Sequence, residues 1–120
     1  MTAAEKLKPQ TDPSDPVPGV EALVQSTLAP QTVEIDRQGT YPAGFMHELG
    51  ALGGYRQHLA SGGARGPSGP GDFGNAIRVM DVVSSECMST GFCVWCQDAL
   101  TWYLENADDT SVRDHLLPKL

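Results

Sequence analysis

Apolar positions recur at helical spacing along most of this chain. Val20, Leu23, Val24 and Leu28 repeat every three or four residues, which sets them on one face of a helix over about residues 19–29. Pro30 ends that pattern, because its ring fits poorly inside a helix and it brings no N–H to the next turn. Phe45, Met46, Leu49 and Leu52 mark a second helix of roughly ten residues, opened by Pro42 and stopped at Gly53-Gly54. Phe73, Ala76, Ile77, Met80, Val83 and Cys87 define a third, with Asp72 placed to accept hydrogen bonds as its N-cap.

A fourth helix, from about Ser89 to Glu105, is apolar on nearly every side: Phe92, Cys93, Val94, Trp95, Cys96, Leu100, Trp102, Tyr103 and Leu104 surround it. Such a helix is expected to be buried among others. After a polar stretch from Asn106, a last helix from about Ser111 turns Val112, Leu116 and Leu117 toward the core. No segment alternates as a strand would and no repeat is visible, so the expected fold class is all-α, a bundle of about five helices.

The connecting segments differ in kind. Ile35 to Pro42 reads as a turn, with Asp36 able to accept from nearby backbone and Gly39 free to adopt a positive φ. Ser61 to Gly74 holds six glycines and two prolines, a composition that favours an exposed loop. Residues 1–18 are rich in Pro, Asp, Thr and Lys and poor in large apolar side chains, too little to offset the entropy of ordering. They are expected to form a disordered leader, with residues 19–120 as one helical domain.

Charge narrows the partners. The net charge is -7, and the 8 basic residues are scattered, which speaks against a nucleic-acid or anionic-membrane surface. The longest apolar run, Phe92 to Cys96, is far short of the roughly 20 residues needed to span a bilayer. The prolines after Lys8 fall where an export signal would place its apolar stretch, and three closely spaced cysteines suit a reducing compartment. A cytoplasmic location is expected.

Candidate chemistry is sparse. Gly69-Pro70-Gly71-Asp72-Phe73-Gly74 matches G-x-G-x-x-G literally, but no strand pattern precedes it, and Asp72 would put a carboxylate where a phosphate should sit. Cys93-x-x-Cys96 with Cys87 has metal or redox spacing. His47, His58 and His115 are remote from it, so the three thiols are expected to point into the core as small apolar groups. His47-Glu48 begins a zincin motif without its second histidine, and His47 is expected on the surface of the second helix. No nucleophile elbow or Walker lysine occurs. No metal ligand set is assigned.

One longer pattern remains. Asp36, Gly39 and Tyr41-Pro42, followed by Leu49-Gly50-Ala51-Leu52-Gly53, resemble the N-terminal stretch of acyl-CoA dehydrogenases, in which an I-D-x-x-G-x-Y/F-P turn precedes a helix ending L-G-x-L-G. Ser84 to Thr90 and the closing Leu116-Leu117-Pro118-Lys119-Leu120 are similar to later segments of the same domain. The Ser61 to Gly74 loop departs from that family in lacking its Pro-Glu.

The resemblance implies the first domain of an FAD-dependent oxidoreductase acting on the CH–CH group of an acyl-CoA-type thioester. A β domain and a C-terminal helical domain would supply most of the flavin contacts and the catalytic base. No catalytic or flavin-binding residue carries over, and FAD is not expected to bind this chain alone. The complete enzyme would be a homo-oligomer. By the same resemblance the fourth helix lines the far end of the acyl pocket, with Gly91 and Trp95 one turn apart as substrate-lining residues. Gly91 would permit close approach and the Trp95 indole would act as a stop, unless Trp95 is simply core. The alternative function is a standalone helical module that binds a protein partner without catalysis.

Overall fold

The computed structural model describes Asp12, residues 14–60 and residues 71–120; the leader expected over 1–18 and the glycine-rich loop fall largely outside them. The described residues form an all-α bundle with no strand: α1 (Val17–Leu23), α2 (Thr32–Gln38), α3 (Ala43–Ala51), α4 (Phe73–Glu86), α5 (Met88–Glu105) and α6 (Thr110–Leu116). A π turn, Val24–Leu28, and a 3-10 turn, Ala29–Gln31, continue α1, and a second 3-10 turn, Leu117–Lys119, follows α6.

The core gathers around α1 and its π turn. Val20, Leu23, Val24 and Leu28 are all buried, and they meet Ile35, Phe45, Met46, Leu49, Tyr55, Val79, Val83 and Val94. The π turn fits this packing, since widening the helix rotates Leu28 back onto the buried face (0% exposed). Asp15 reaches Arg78 at 3.1 Å and ties the start of α1 to α4, though Arg78 is too exposed for the pair to contribute much.

Helix α2 lies where a turn was expected. Thr32 to Gln38 buries only Ile35, too little apolar periodicity to stand out, and Gly39 closes it at φ 66°. The positive φ at Gly39 is as expected, but it ends a helix instead of shaping a free turn. Helix α3 buries Phe45, Met46 and Leu49 and stops at Gly53, φ 77°, while Leu52 faces outward. The next turn is held by Tyr55, whose hydroxyl donates to the Met46 carbonyl at 2.7 Å.

Helix α4 is capped as the sequence indicates: the Asp72 carboxylate accepts from the Asn75 N–H at 3.0 Å. Its buried face is Ala76, Val79 and Val83, so the expected stripe is rotated, with Phe73 and Ile77 exposed on its flank. Helix α6 differs more. Asp109 caps it, accepting from the Ser111 and Val112 N–H groups, but Val112 and Leu116 are exposed and do not point to the core. The periodicity is real; among the described residues the helix packs mainly against α5 and its own 3-10 turn, which leave Val112 and Leu116 exposed. Arg56 pins that end, donating to the Leu117 and Leu120 carbonyls at 2.7 and 3.1 Å.

Candidate functional site

The side chains of α5 are distributed against expectation. Thr90, Gly91, Val94, Asp98, Thr101 and Leu104 are buried, whereas Phe92, Trp95 and Tyr103 are 62%, 52% and 72% exposed. Small and polar groups face α4 and the Tyr55–Leu59 turn, and the large aromatic ones face away. The expectation of a helix buried on all sides is thus corrected: too few described elements surround α5 to cover it.

Gly91 explains how closely α4 and α5 pack. A Cβ there would stand 2.9 Å from the Ser84 Cβ and 3.0 Å from its Cα, and would collide with the Ser84 hydroxyl. The close approach that Gly91 permits is therefore between α5 and α4. Trp95, one turn on, faces out, with its ring 5.6 Å from that of Phe92. Among the described residues it is half exposed and stands outside their core.

On its other side Trp95 borders a groove between α4 and α5, a cavity of about 270 Å³ lined also by Phe73, Ile77, Met80, Trp102 and Tyr103. The Phe73 and Trp102 rings are tilted together at 5.4 Å, an edge-biased contact of the kind aromatic pairs favour. His58 and Asp98 also line the cavity and are 6% and 7% exposed.

Asp98 is the unusual group. Neither carboxylate oxygen has a hydrogen-bond partner, and burial pushes its pKa from 3.8 up to about 7. Its carbonyl, by contrast, is well used: His58 Nε2 lies 2.9 Å from it and the Thr101 hydroxyl 2.9 Å. A carbonyl only accepts, so Nε2 carries a proton, and Nδ1 has no partner. In the sequence His58 stands out only as a histidine remote from the cysteines, and Asp98 has no motif around it. His58 and Asp98 are 40 positions apart, and only the tertiary fold joins them. The available signal was Asp98 itself, the one carboxylate among the apolar positions at the centre of α5.

The other candidates resolve simply. Cys96 is exposed, while Cys93 and Cys87 are half-buried against the core, so the expectation that all three point inward fails at Cys96. Burial, with Cys96 and Cys87 nearby, raises the Cys93 pKa. At Cys87 burial also raises it, but hydrogen bonds from Ser89 and Thr90 outweigh that and hold the thiol below its usual value. Among the described residues no three His, Cys, Asp or Glu side chains are grouped to hold a metal ion. His47 is exposed on α3.

A second cavity of about 560 Å³ lies between α3 and the C-terminal turn, but its Arg56 is committed to the Leu117 and Leu120 carbonyls. Gly71 packs on the His58–Leu59 backbone, 2.9 Å from the Leu59 carbonyl carbon for a Cβ placed there. The Asp72 carboxylate already occupies the first turn of α4. That helix start therefore offers a flavin or dinucleotide phosphate an anion instead of free donors and does not fit such a group. No described helix is long and apolar enough to cross a membrane.

Fold and surface together define an all-α domain with an uncovered aromatic face. The family model described as acyl-CoA dehydrogenase, N-terminal domain, matches residues 17–120, and the chain belongs to the acyl-CoA dehydrogenase family through that domain. Comparisons with curated proteins and with solved structures gave no match.

Proposed function

We propose that this domain serves an FAD-dependent oxidoreductase that removes hydrogens across the CH–CH bond of an acyl-CoA-type thioester, and that the outward face of α5 forms part of the acyl pocket wall. The family match over residues 17–120 carries this reading. The exposed aromatic face supports it, since a contiguous apolar surface of this kind marks a place where something else packs.

Within this reading Trp95 is the substrate-lining group. Its indole closes the far end of the pocket, while Gly91 fixes where α5 sits by letting it close onto Ser84. The flavin and the catalytic base belong to the β and C-terminal helical domains that accompany this domain in the family, and the chain's own part is to bind, exclude water and limit chain length. The location assigned is cytoplasmic and the complete enzyme a homo-oligomer.

Anaerobic mixing of the complete flavoenzyme with saturated acyl-CoA thioesters tests the assignment. Loss of the oxidised flavin absorbance with at least one chain length, and formation of the 2-enoyl product, is the expected outcome. An unbleached flavin across short, medium, long and branched thioesters would remove the proposed activity.

A further inference from the structure

The acyl-wall reading leaves the cysteines of α5 without a role. Cys93 and Cys96 lie in the middle of that helix, three residues apart. One turn of regular helix sets such Cα atoms about 5 Å from each other on a common face, inside the roughly 4.4–6.8 Å range of disulfides. Cys96 is exposed and Cys93 half-buried, so one thiol is open to a soluble reagent and the other is partly shielded. Burial raises the Cys93 pKa and charge on Cys96 adds to it, which places the two sulfur atoms within electrostatic reach of each other. Cys87 is a poor partner for either. It caps the helix about 9 Å along the axis from Cys93, beyond the span of a disulfide. Its sulfur already accepts from the Thr90 hydroxyl at 3.1 Å.

We infer that Cys93 and Cys96 form a reversible disulfide within α5, a redox-responsive pair that exchanges with glutathione disulfide. The exposed Cys96 thiolate attacks one sulfur of glutathione disulfide, forms a mixed disulfide and releases one glutathione thiolate. The Cys93 thiolate then attacks the Cys96 sulfur and releases the second. Two electrons pass from the two protein thiols, which give up two protons, to the oxidant, which leaves as two glutathione thiols. Once Cys96 is in the mixed disulfide its charge no longer raises the Cys93 pKa, which favours the second attack. Helical Cβ atoms at this spacing are about 5–6 Å apart, wider than the roughly 3.5–4.5 Å of a relaxed disulfide. Closure therefore strains the turn, and the bond is readily reduced. Trp95 stands between the two cysteines, so the strained turn is the one that carries its indole. The inference uses α5 alone and does not rest on the acyl-wall reading.

The test incubates the intact chain in glutathione buffers of rising oxidised-to-reduced ratio, quenches with acid and alkylates the remaining thiols in denaturant. Chymotrypsin cleaves after Trp95, so once cleavage is complete the Cys93 and Cys96 peptides stay joined only where the disulfide is present. Mass spectrometry is expected to show these two peptides linked, with Cys87 alone of the three cysteines alkylated, and dithiothreitol should restore both thiols. Cys87→Ser should keep the link. Cys96→Ser, at an exposed position, should abolish it, with circular dichroism showing that both variants fold. A lasting glutathione adduct on Cys96 beside a free Cys93 would overturn the inference. So would a link to Cys87, a link between two chains, closure confined to the urea-unfolded chain, or three free thiols at every ratio.

Discussion

Replacing Asp98 with Asn should make the domain more stable at alkaline pH and leave it nearly unchanged in acid. The carboxyl pKa rises from 3.8 in the open chain to about 7 in the fold, so between those values the folded state holds a proton that the unfolded state has released. Folding is then favoured by acid. Stability falls as pH rises through that window and levels off above the folded pKa. A shift of about three units corresponds to about 4 kcal/mol at about 1.4 kcal/mol per unit. Relaxation and water entry reduce the expected loss to about 2–4 kcal/mol, a large part of the roughly 5–15 kcal/mol typical of a domain. Asn keeps the shape and cannot ionise, so subtracting its curve from the parent's isolates this one group. The assay is urea unfolding by circular dichroism at intervals from pH 4.5 to 8.5. A difference between the two proteins that grows by at least about 2 kcal/mol toward pH 8.5, in favour of Asn, is expected. A difference that stays flat, or grows in favour of Asp, would refute the burial argument.

Two further outcomes follow from the packing of α5. Gly91→Ala should destabilise the domain by about 1–3 kcal/mol through overpacking against Ser84, and Ser84→Gly in the same chain should restore part of that; urea unfolding of the single and double variants checks it, and additive losses would contradict it. In the native chain iodoacetamide should modify exposed Cys96 and low-pKa Cys87 before Cys93, with the difference erased in urea. Peptide mass spectrometry reads the order, and early alkylation of Cys93 would show that its packing is wrong.

How legible the fold was depended on how locally each feature is encoded. Helices α1, α3, α4, α5 and α6 were visible because their apolar spacing lies within the segment concerned, as do the Gly53 stop of α3 and the Asp72 cap of α4; the stop expected at Pro30 did not hold, since a 3-10 turn, Ala29–Gln31, runs through it into α2. Helix α2 was hidden because one buried residue, Ile35, makes no period. The facing of side chains was harder: periodicity states which residues share a face, and only neighbours decide whether that face is covered. Val112, Leu116, Phe73 and Ile77 keep helical spacing and remain exposed, and α5 buries Thr90 and Asp98 while showing Phe92 and Tyr103. The groove with His58 and Asp98 joins residues 40 positions apart, which no local pattern encodes. Membership of the family, by contrast, was readable in the spacing from Asp36 to Gly53, and the match over residues 17–120 confirms it.

The acyl-wall role of α5 is tested most directly by the chain-length profile of the complete flavoenzyme with Trp95 as found and with Trp95→Ala. Trp95 is half exposed in this domain, so its truncation should cost less stability than the roughly 3–5 kcal/mol of a buried aromatic. Removing the indole should open the end of the pocket. Each methylene newly buried there would contribute about 0.8 kcal/mol, or about fourfold in kcat/KM. Measured across a homologous series of acyl-CoA thioesters, the optimum of kcat/KM should move to longer chains in the variant. An optimum at the same chain length in both proteins would contradict the assignment of this face to the acyl pocket.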